Sequence, residues 1–234
     1  MAAAGFKSGG VCILLAGATE EPAMCRLIRM ATCAEGFPLP RRNSVVISAG
    51  LRELASNLLY FTATMRLIRL CKIFLVFSVG FFLFLVVLNN LTDYGSNYAF
   101  VENVLGMTTV FEDNQLMWRA IESPVIHTAF YWSIILWEAV AMALIGWGGV
   151  RLCRALGDGK WEFQSAKQLA LAGLTLSLLQ WFVAFITVGG EWFAMWQSEV
   201  WNGQDAAFRM FTCIGIVLLF LYLPEFGEPE GAPA

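Results

Sequence analysis

Charged residues and histidine are scarce in this sequence. Only 14% of its 234 residues are Asp, Glu, Lys or Arg, against about a quarter in an ordinary globular domain. The net charge is −3 and no basic cluster occurs, which excludes a nucleic-acid-binding surface and a nucleic-acid partner. His127 is the single histidine, so one chain cannot supply a two-histidine haem or metal site. We therefore expect neither a metal nor a cofactor.

The sequence also lacks the motifs of common enzymes. It contains no phosphate-binding loop, dinucleotide fingerprint, hydrolase nucleophile elbow or metalloprotease motif. Its six cysteines are spread thinly, without the spacing of a metal site or a disulfide framework. These absences predict a protein without enzymatic activity.

Long apolar runs take the place of these features. The chain is 58% hydrophobic and its mean hydropathy is +0.64. A helix needs about 20 residues to cross a hydrocarbon core about 30 Å thick, and four stretches qualify. The fold class that we predict is all-α, a polytopic membrane protein with an antiparallel four-helix transmembrane bundle in contact with the lipid bilayer. The predicted spans cover residues 70–91, 129–151, 167–189 and 206–223, approximately.

The first outer loop, between spans one and two, is long enough to contain structure of its own. Apolar residues recur at helical spacing over residues 100–105 and again over 116–121. This spacing predicts two short amphipathic helices on the membrane surface. Ser123 followed by Pro124 is typical of an N-cap and a first helical residue, and so predicts the start of the second membrane helix.

Lys and Arg residues are unequally divided between the two sides of the predicted bundle. Seven flank span one or lie between spans two and three, whereas only Arg119 and Arg209 lie on the opposite side. The positive-inside rule therefore predicts that both termini lie in the cytoplasm. The seven residues are Arg66, Arg69, Lys72, Arg151, Arg154, Lys160 and Lys167.

Residues 1–64 differ in composition from the rest of the chain, because they contain no Trp whereas the remainder contains nine. We interpret them as a poorly structured N-terminal extension that lies upstream of the true start at Met65. The alternative is a signal peptide, since Lys7 precedes a short apolar run and small residues, but the basic residues before span one argue against export. The membrane domain then covers residues 65–224, and residues 225–234 form a short acidic tail.

Glu138 is the one acidic residue deep inside a predicted span. It lies about 12 Å below the outer boundary, and Gln180 in span three reaches a similar depth. An ionised carboxylate there costs about 3 kcal/mol or more, so we expect Glu138 to be protonated and hydrogen-bonded to Gln180. The pair is either a proton or cation site or a structural clasp between helices. The lack of a second intramembrane acid or base favours the clasp.

Span three also carries a stripe of small and polar residues at steps of three and four. Such a stripe lets a neighbouring helix approach closely, because lipid provides no hydrophobic drive between helices. The stripe consists of Ala166, Ala170, Gly173, Ser177, Gln180, Ala184, Thr187 and Glu191.

A Trp-rich segment follows span three at the outer boundary. Carboxylates, amides and indole rings together could form a rim that binds a cation or another solute. The commoner alternative is an interfacial turn whose Trp residues anchor the protein, with Glu191 or Asp205 paired to Arg209 or Arg119. The candidate rim residues are Glu191, Trp192, Trp196, Gln197, Trp201, Asn202, Gln204 and Arg209.

Several motifs of this chain occur together in one known family. They include Asn-Asn-Leu-Thr-Asp-Tyr at 89–94, Trp-Glu at 137–138, Gly-Gly-Glu-Trp-Phe at 189–193 and Trp-Asn-Gly-Gln at 201–204. From about residue 65 to about residue 223, the chain resembles the bacterial family of predicted small integral membrane proteins of unknown function. The resemblance implies a four-span inner-membrane protein and brings no catalytic residues with it.

Two functional hypotheses follow from the residues. The leading one is a non-enzymatic accessory or assembly partner of a larger membrane complex, because the outer surface is rich in Trp and catalytic residues are missing. The alternative is a small-solute or ion/proton transporter that uses Glu138, Gln180 and the outer Glu191.

Overall fold

The structure is a computed structural model that describes residues 41–225, the side chains of 41–49 and 51 excepted. Helices account for all the regular secondary structure in this range. The five α-helices are α1 (Arg41–Thr92), α2 (Tyr94–Leu105), α3 (Pro124–Arg154), α4 (Lys160–Leu179) and α5 (Gln204–Tyr222). Helix α4 continues directly into a π-helix, Gln180–Trp192, and two short 3-10 helices cover Met117–Arg119 and Met195–Gln197.

Four helical segments are long and apolar enough to cross a membrane. Even the shortest has 19 residues, which at 1.5 Å per residue gives about 28 Å, close to the thickness of a hydrocarbon core. The predicted all-α, four-span architecture is therefore confirmed. The four segments are Arg52–Thr92, Pro124–Arg154, Lys160–Trp192 and Gln204–Tyr222.

The first helix begins well before the predicted first span. Since α1 starts at Arg41, residues 41–64 are helical, which corrects the expectation of a poorly structured segment over residues 1–64. This stretch contains no proline and several good helix formers, so nothing in it stops a helix. Residues 1–40, with the signal-like run, lie outside the described residues. The chain divides into two units, Met1–Tyr60 and Phe61–Ala234. The apolar clusters of the helical bundle belong to the second unit.

Helices α3 and α4 pack closely because small residues lie between them. A Cβ atom added to Gly148 would overlap the backbone of Ala170, and one added to Gly173 would lie only 2.8 Å from the backbone nitrogen of Ile145. Close approach of this kind is what small residues permit between membrane helices. The predicted stripe on span three is buried from Ala166 as far as Gln180.

Beyond Gln180 the stripe no longer faces the bundle. Here the backbone is a π-helix, and at its end the N–H of Phe193 donates to the carbonyl of Val188, five residues earlier, at 3.0 Å. Each turn then takes more than 3.6 residues, so a three-four spacing no longer keeps side chains on one face. Thr187 and Glu191 are consequently exposed, and this part of the predicted stripe is wrong.

The first outer loop contains one of the two predicted amphipathic helices in full. This is α2, whereas the second is limited to the 3-10 helix Met117–Arg119. The chain leaves that turn at Ala120 with φ −60° and ψ 135°, an extended conformation that ends helical bonding. Ser123 does precede α3 and Pro124 is its first residue, as predicted, although no hydrogen bond of the Ser123 side chain caps the helix.

Two apolar clusters fill the bundle, one towards each end. The first lies on the side where α5 ends and contains Val76, Leu83, Ile145 and Leu174. The second lies on the side of α2 and the 3-10 helices and contains Val101, Leu105, Tyr131 and Met195. We call these two sides of the bundle the Glu225 end and the loop-helix end.

Candidate functional site

Glu138 lies at the middle of α3 and is hydrogen-bonded to two other helices. It follows Pro124 by fourteen residues and precedes Arg154 by sixteen, and only 2% of its surface is exposed. Gln180 Nε2 donates to Glu138 Oε1 at 2.9 Å, and Asn90 Nδ2 donates to Oε2 at 2.7 Å. The predicted contact between Glu138 and Gln180 is therefore present, at the point where α4 becomes the π-helix.

Sequence reasoning did not identify Asn90 and Tyr131 as members of this group. The hydroxyl of Tyr131 donates to the Asn90 carbonyl at 2.8 Å, and this ties the end of α1 to α3. Tyr131 lies seven residues before Glu138, which is two helical turns, so the two share a face. That spacing was a usable signal, whereas an amide near the end of a span, such as Asn90, carries none.

A cavity of about 260 Å3 adjoins the Glu138 carboxyl group. It extends to Asn97 on α2 and to Gly203 before α5, so it reaches the loop-helix end of the bundle. The lining residues with polar side chains are Glu138, Asn90, Asn97 and Tyr131. Four aromatic residues, Phe100, Tyr131, Trp181 and Phe185, make up much of the wall.

On the other side of Glu138 the interior of the bundle is packed. Leu83, Ala141, Ile145 and Leu174 are completely buried there and belong to one apolar cluster. Apolar packing of this density leaves little room for water or a polar solute. The cavity therefore gives Glu138 access towards the loop-helix end.

Three polar atoms close to this group are buried without a hydrogen-bond partner among the described residues. They are Gln180 Oε1, Trp181 Nε1 and Ser177 Oγ. A buried polar atom without a partner costs about 1–3 kcal/mol. Of these three residues only Trp181 lines the cavity, so its indole N–H is the donor that a ligand there could use.

The predicted outer rim is only partly assembled around one cavity. Glu191 and Trp192 line a cavity of about 580 Å3 together with Arg119. The Arg119 guanidinium lies 4.5 Å from the centre of the Trp192 ring and 5.2 Å from that of Trp118, and it donates to the Trp192 carbonyl at 3.2 Å. Arg119 Nε is buried without a hydrogen-bond partner among the described residues, so these contacts satisfy the guanidinium group only in part. Within the described residues, neither Arg119 nor Arg209 forms the ion pair with Glu191 or Asp205 that the interfacial-turn interpretation expects.

The other candidate rim residues connect the loops at this end of the bundle. Gln197 Oε1 accepts hydrogen bonds from Asn114 Nδ2 at 2.8 Å and from the Phe111 N–H at 3.2 Å. Asn202 Oδ1 accepts from the backbone N–H of Gln204 at 3.1 Å. Arg209 is exposed, while Trp196 and Trp201 pack against Phe111 and Phe100 respectively.

A second buried polar group lies at the Glu225 end. Glu225 Oε1 lies 2.6 Å from Lys72 Nζ and 2.5 Å from Lys167 Nζ, and Oε2 lies 3.4 Å from Arg69 Nε. Both lysines also donate to the Leu223 carbonyl at 2.9 Å. We call Arg69, Lys72, Lys167 and Glu225 the charge clasp.

No sequence pattern indicates that the members of the charge clasp meet. The basic residues predict only the orientation of the protein, and Glu225 belongs to the predicted acidic tail. In the structure Glu225 is buried, and it connects the segment just after α5 to α1 and α4. Burial alone raises the pKa of its carboxyl group, but hydrogen bonds and charge from Lys167 and Lys72 outweigh that effect and hold the pKa below its usual range.

The four apolar helices, with lipid-facing side chains such as Phe74, Leu136 and Ile216 exposed along them, define a polytopic integral membrane protein. The model of the DUF2165 family, described as predicted small integral membrane protein, matches residues 68–224. The chain belongs to this family, as its motifs indicated. No curated protein and no solved structure matches it.

Proposed function

We propose that this protein is a small-solute or ion transporter in which Glu138 is the binding carboxylate. The observation that supports this is the cavity beside Glu138, which reaches the loop-helix end. A clasp between helices needs the hydrogen bonds from Asn90 and Gln180 but no cavity, and a buried ionisable residue beside a cavity is typical of a transport site. The cavity therefore favours the transport hypothesis over a purely structural clasp.

The chemistry of such a site follows from the cost of charge inside a membrane. An empty site favours the protonated carboxyl group, because the neutral form needs no counter-charge. A cation that enters the cavity favours the carboxylate, so the proton leaves to water as the cation binds. Asn90 and Gln180 donate to the two carboxyl oxygens, and this arrangement stabilises the charged form. Glu138 would thus carry either a proton or a cation.

We further propose the direction of access from the distribution of basic residues. The positive-inside rule puts the Glu225 end and both termini in the cytoplasm of a bacterial inner membrane, so the cavity would open outward. Fusion of a reporter enzyme to the C-terminus tests this orientation. A reporter that is active only on the periplasmic side should stay inactive.

The transport proposal is tested with purified protein in liposomes that contain a pH-sensitive dye. A gradient of a monovalent cation across the membrane should drive protons in the opposite direction through the wild-type protein, and Glu138→Gln should abolish this flux because an amide carries no proton. Glu102→Gln, which changes an exposed acid on α2, should behave as the wild type. Equal flux in wild type and Glu138→Gln, or flux no greater than in empty liposomes, would exclude proton transport through this residue.

An accessory role in a larger membrane complex is the second candidate. The observation that supports it is a set of large exposed side chains at the loop-helix end, with Trp118 70% and Val200 72% exposed. Trp is favoured at protein contacts, although the membrane interface also attracts it. Affinity purification in mild detergent followed by native mass spectrometry should find a partner whose yield falls in Trp118→Ala. Recovery as a lone monomer counts against this role.

A further inference from the structure

We infer that the ligand of the cavity beside Glu138 is a small organic ammonium cation. The inference rests on the proposed function for the role of Glu138, and it adds the chemical class of the substrate.

The walls of the cavity combine one carboxyl group with aromatic rings. Trp181 and Phe185 have ring centroids 4.9 Å apart, and Phe100 lies 6.3 Å from Phe185, so three of the lining rings pack one against the next. Tyr131 adds a fourth ring to the lining. Aromatic faces attract cations, and Trp does so most strongly. An acid placed among several rings is the usual arrangement for binding an alkylated ammonium group.

The same walls are unsuitable for a metal ion. Calcium and magnesium bind about six or more oxygen ligands, and Glu138 is the only acidic residue in the lining of this cavity. Among the described residues, no group of three or more His, Cys, Asp or Glu side chains is placed to hold a metal. A large, weakly hydrated cation needs fewer oxygen ligands, because its alkyl groups pack against the rings.

Size and hydrogen bonding restrict the ligand further. A cavity of about 260 Å3 is much larger than a single water molecule needs, which suits a small molecule. Trp181 also lines the cavity, and its indole Nε1 is buried without a partner among the described residues. An ammonium ion that also carries a hydroxyl oxygen could accept a hydrogen bond from it.

Choline is a suitable probe, because it carries a quaternary ammonium group and a hydroxyl group. Its neutral carbon isostere, 3,3-dimethyl-1-butanol, has the same shape without the charge. Titration calorimetry on the full chain in lipid nanodiscs should show choline binding about tenfold or more tightly than the isostere, since cation–π and carboxylate attraction require the charge. Equal affinity for the two molecules, or binding of neither, overturns the inference.

Variants connect the binding to the named residues. Glu138→Gln should weaken choline binding about tenfold or more, and Trp181→Leu should weaken it several-fold by removing one aromatic face. Glu102→Gln should bind choline as the wild type does. Wild-type affinity in both Glu138→Gln and Trp181→Leu overturns the assignment to this cavity. If either variant is not monodisperse, the comparison of choline with its isostere on the wild type decides alone.

The outcome is separable from that of the proposed function. Proton flux that depends on Glu138, together with no choline binding, removes the ammonium inference and leaves the transport proposal in place. Choline binding that depends on Glu138, without any flux of protons or choline, keeps the binding site and removes transport.

Discussion

The ammonium group of Lys167 lies 2.5 Å from a carboxylate oxygen of Glu225, and both side chains are buried. The partners are 58 residues apart in sequence, on α4 and just after α5. Lys72 on α1 donates to the same oxygen. The charge clasp therefore joins three chain segments at the Glu225 end, where one carboxylate is the counter-charge of two buried ammonium groups.

Replacement of Glu225 by Ala should destabilise the protein strongly. It leaves Lys72 and Lys167 buried without their counter-charge, which typically costs about 3–5 kcal/mol. Thermal unfolding in detergent, followed by fluorescence, should show a large decrease in the Tm. Glu199→Ala, which removes an exposed acid in a loop, serves as the control and should leave the Tm almost unchanged. A Tm for Glu225→Ala close to that of the control would contradict the structural role of the charge clasp.

The charge clasp should also make stability depend on pH in one direction. Because the pKa of Glu225 is lower in the folded protein than its ordinary value of 4.5, the folded state favours the charged carboxylate. The stabilisation is present above the ordinary value and disappears as the pH falls through the lower, folded-state pKa. The Tm difference between wild type and Glu225→Gln should therefore be constant near neutral pH and shrink in acid. A difference that grows on acidification would be the opposite result.

Small residues between α3 and α4 provide a prediction with a control on the same helix. Gly148→Ala should destabilise the protein by about 1–3 kcal/mol, because its Cβ has no room and would lie 2.6 Å from the Cα of Ala170. Gly146→Ala places the same methyl group where nothing lies within 4 Å, and should be neutral or slightly stabilising. Thermal unfolding of the two variants, side by side, makes the comparison. Similar Tm values would mean that the helices do not pack as described.

The parts of this structure that sequence predicts are those governed by local rules. Hydropathy and length predicted four spans, because a bilayer imposes both on any crossing helix. Depth along two helices predicted the contact of Glu138 with Gln180, since 1.5 Å per residue converts position into height. The predicted stripe on span three is buried from Ala166 to Gln180, because a regular α-helix keeps residues at steps of three and four on one face.

The parts that sequence missed depend on tertiary contacts or on irregular backbone. From the sequence, Lys72 and Lys167 indicate only the orientation of the protein in the membrane. Their ion pairs with Glu225 are contacts between residues far apart in the chain, and no local sequence pattern predicts them. A π-helix changes the periodicity after Gln180, so Thr187 and Glu191 leave the face on which a 3.6-residue period puts them. Asn90 was missed because a single amide near the end of a span has no periodic signal.

The hydrogen bond between Asn90 and Glu138 can be measured with a double-mutant cycle. Asn90→Ala and Glu138→Ala each remove one partner of the hydrogen bond. The effect of the double variant on the free energy of unfolding should differ from the sum of the two single effects by about 0.6–2 kcal/mol. This is the range for polar contacts between membrane helices. Tyr131→Phe tests the same network differently, since it removes only the hydroxyl that donates to the Asn90 carbonyl. Tyr131→Phe should lower the free energy of unfolding by about 1 kcal/mol. If the hydroxyl fixes the orientation of Asn90, the effects of Tyr131→Phe and Asn90→Ala should not be additive. Strict additivity of Asn90→Ala and Glu138→Ala would show that the two side chains do not interact in the membrane, and the carboxyl group would then be oriented by Gln180 alone.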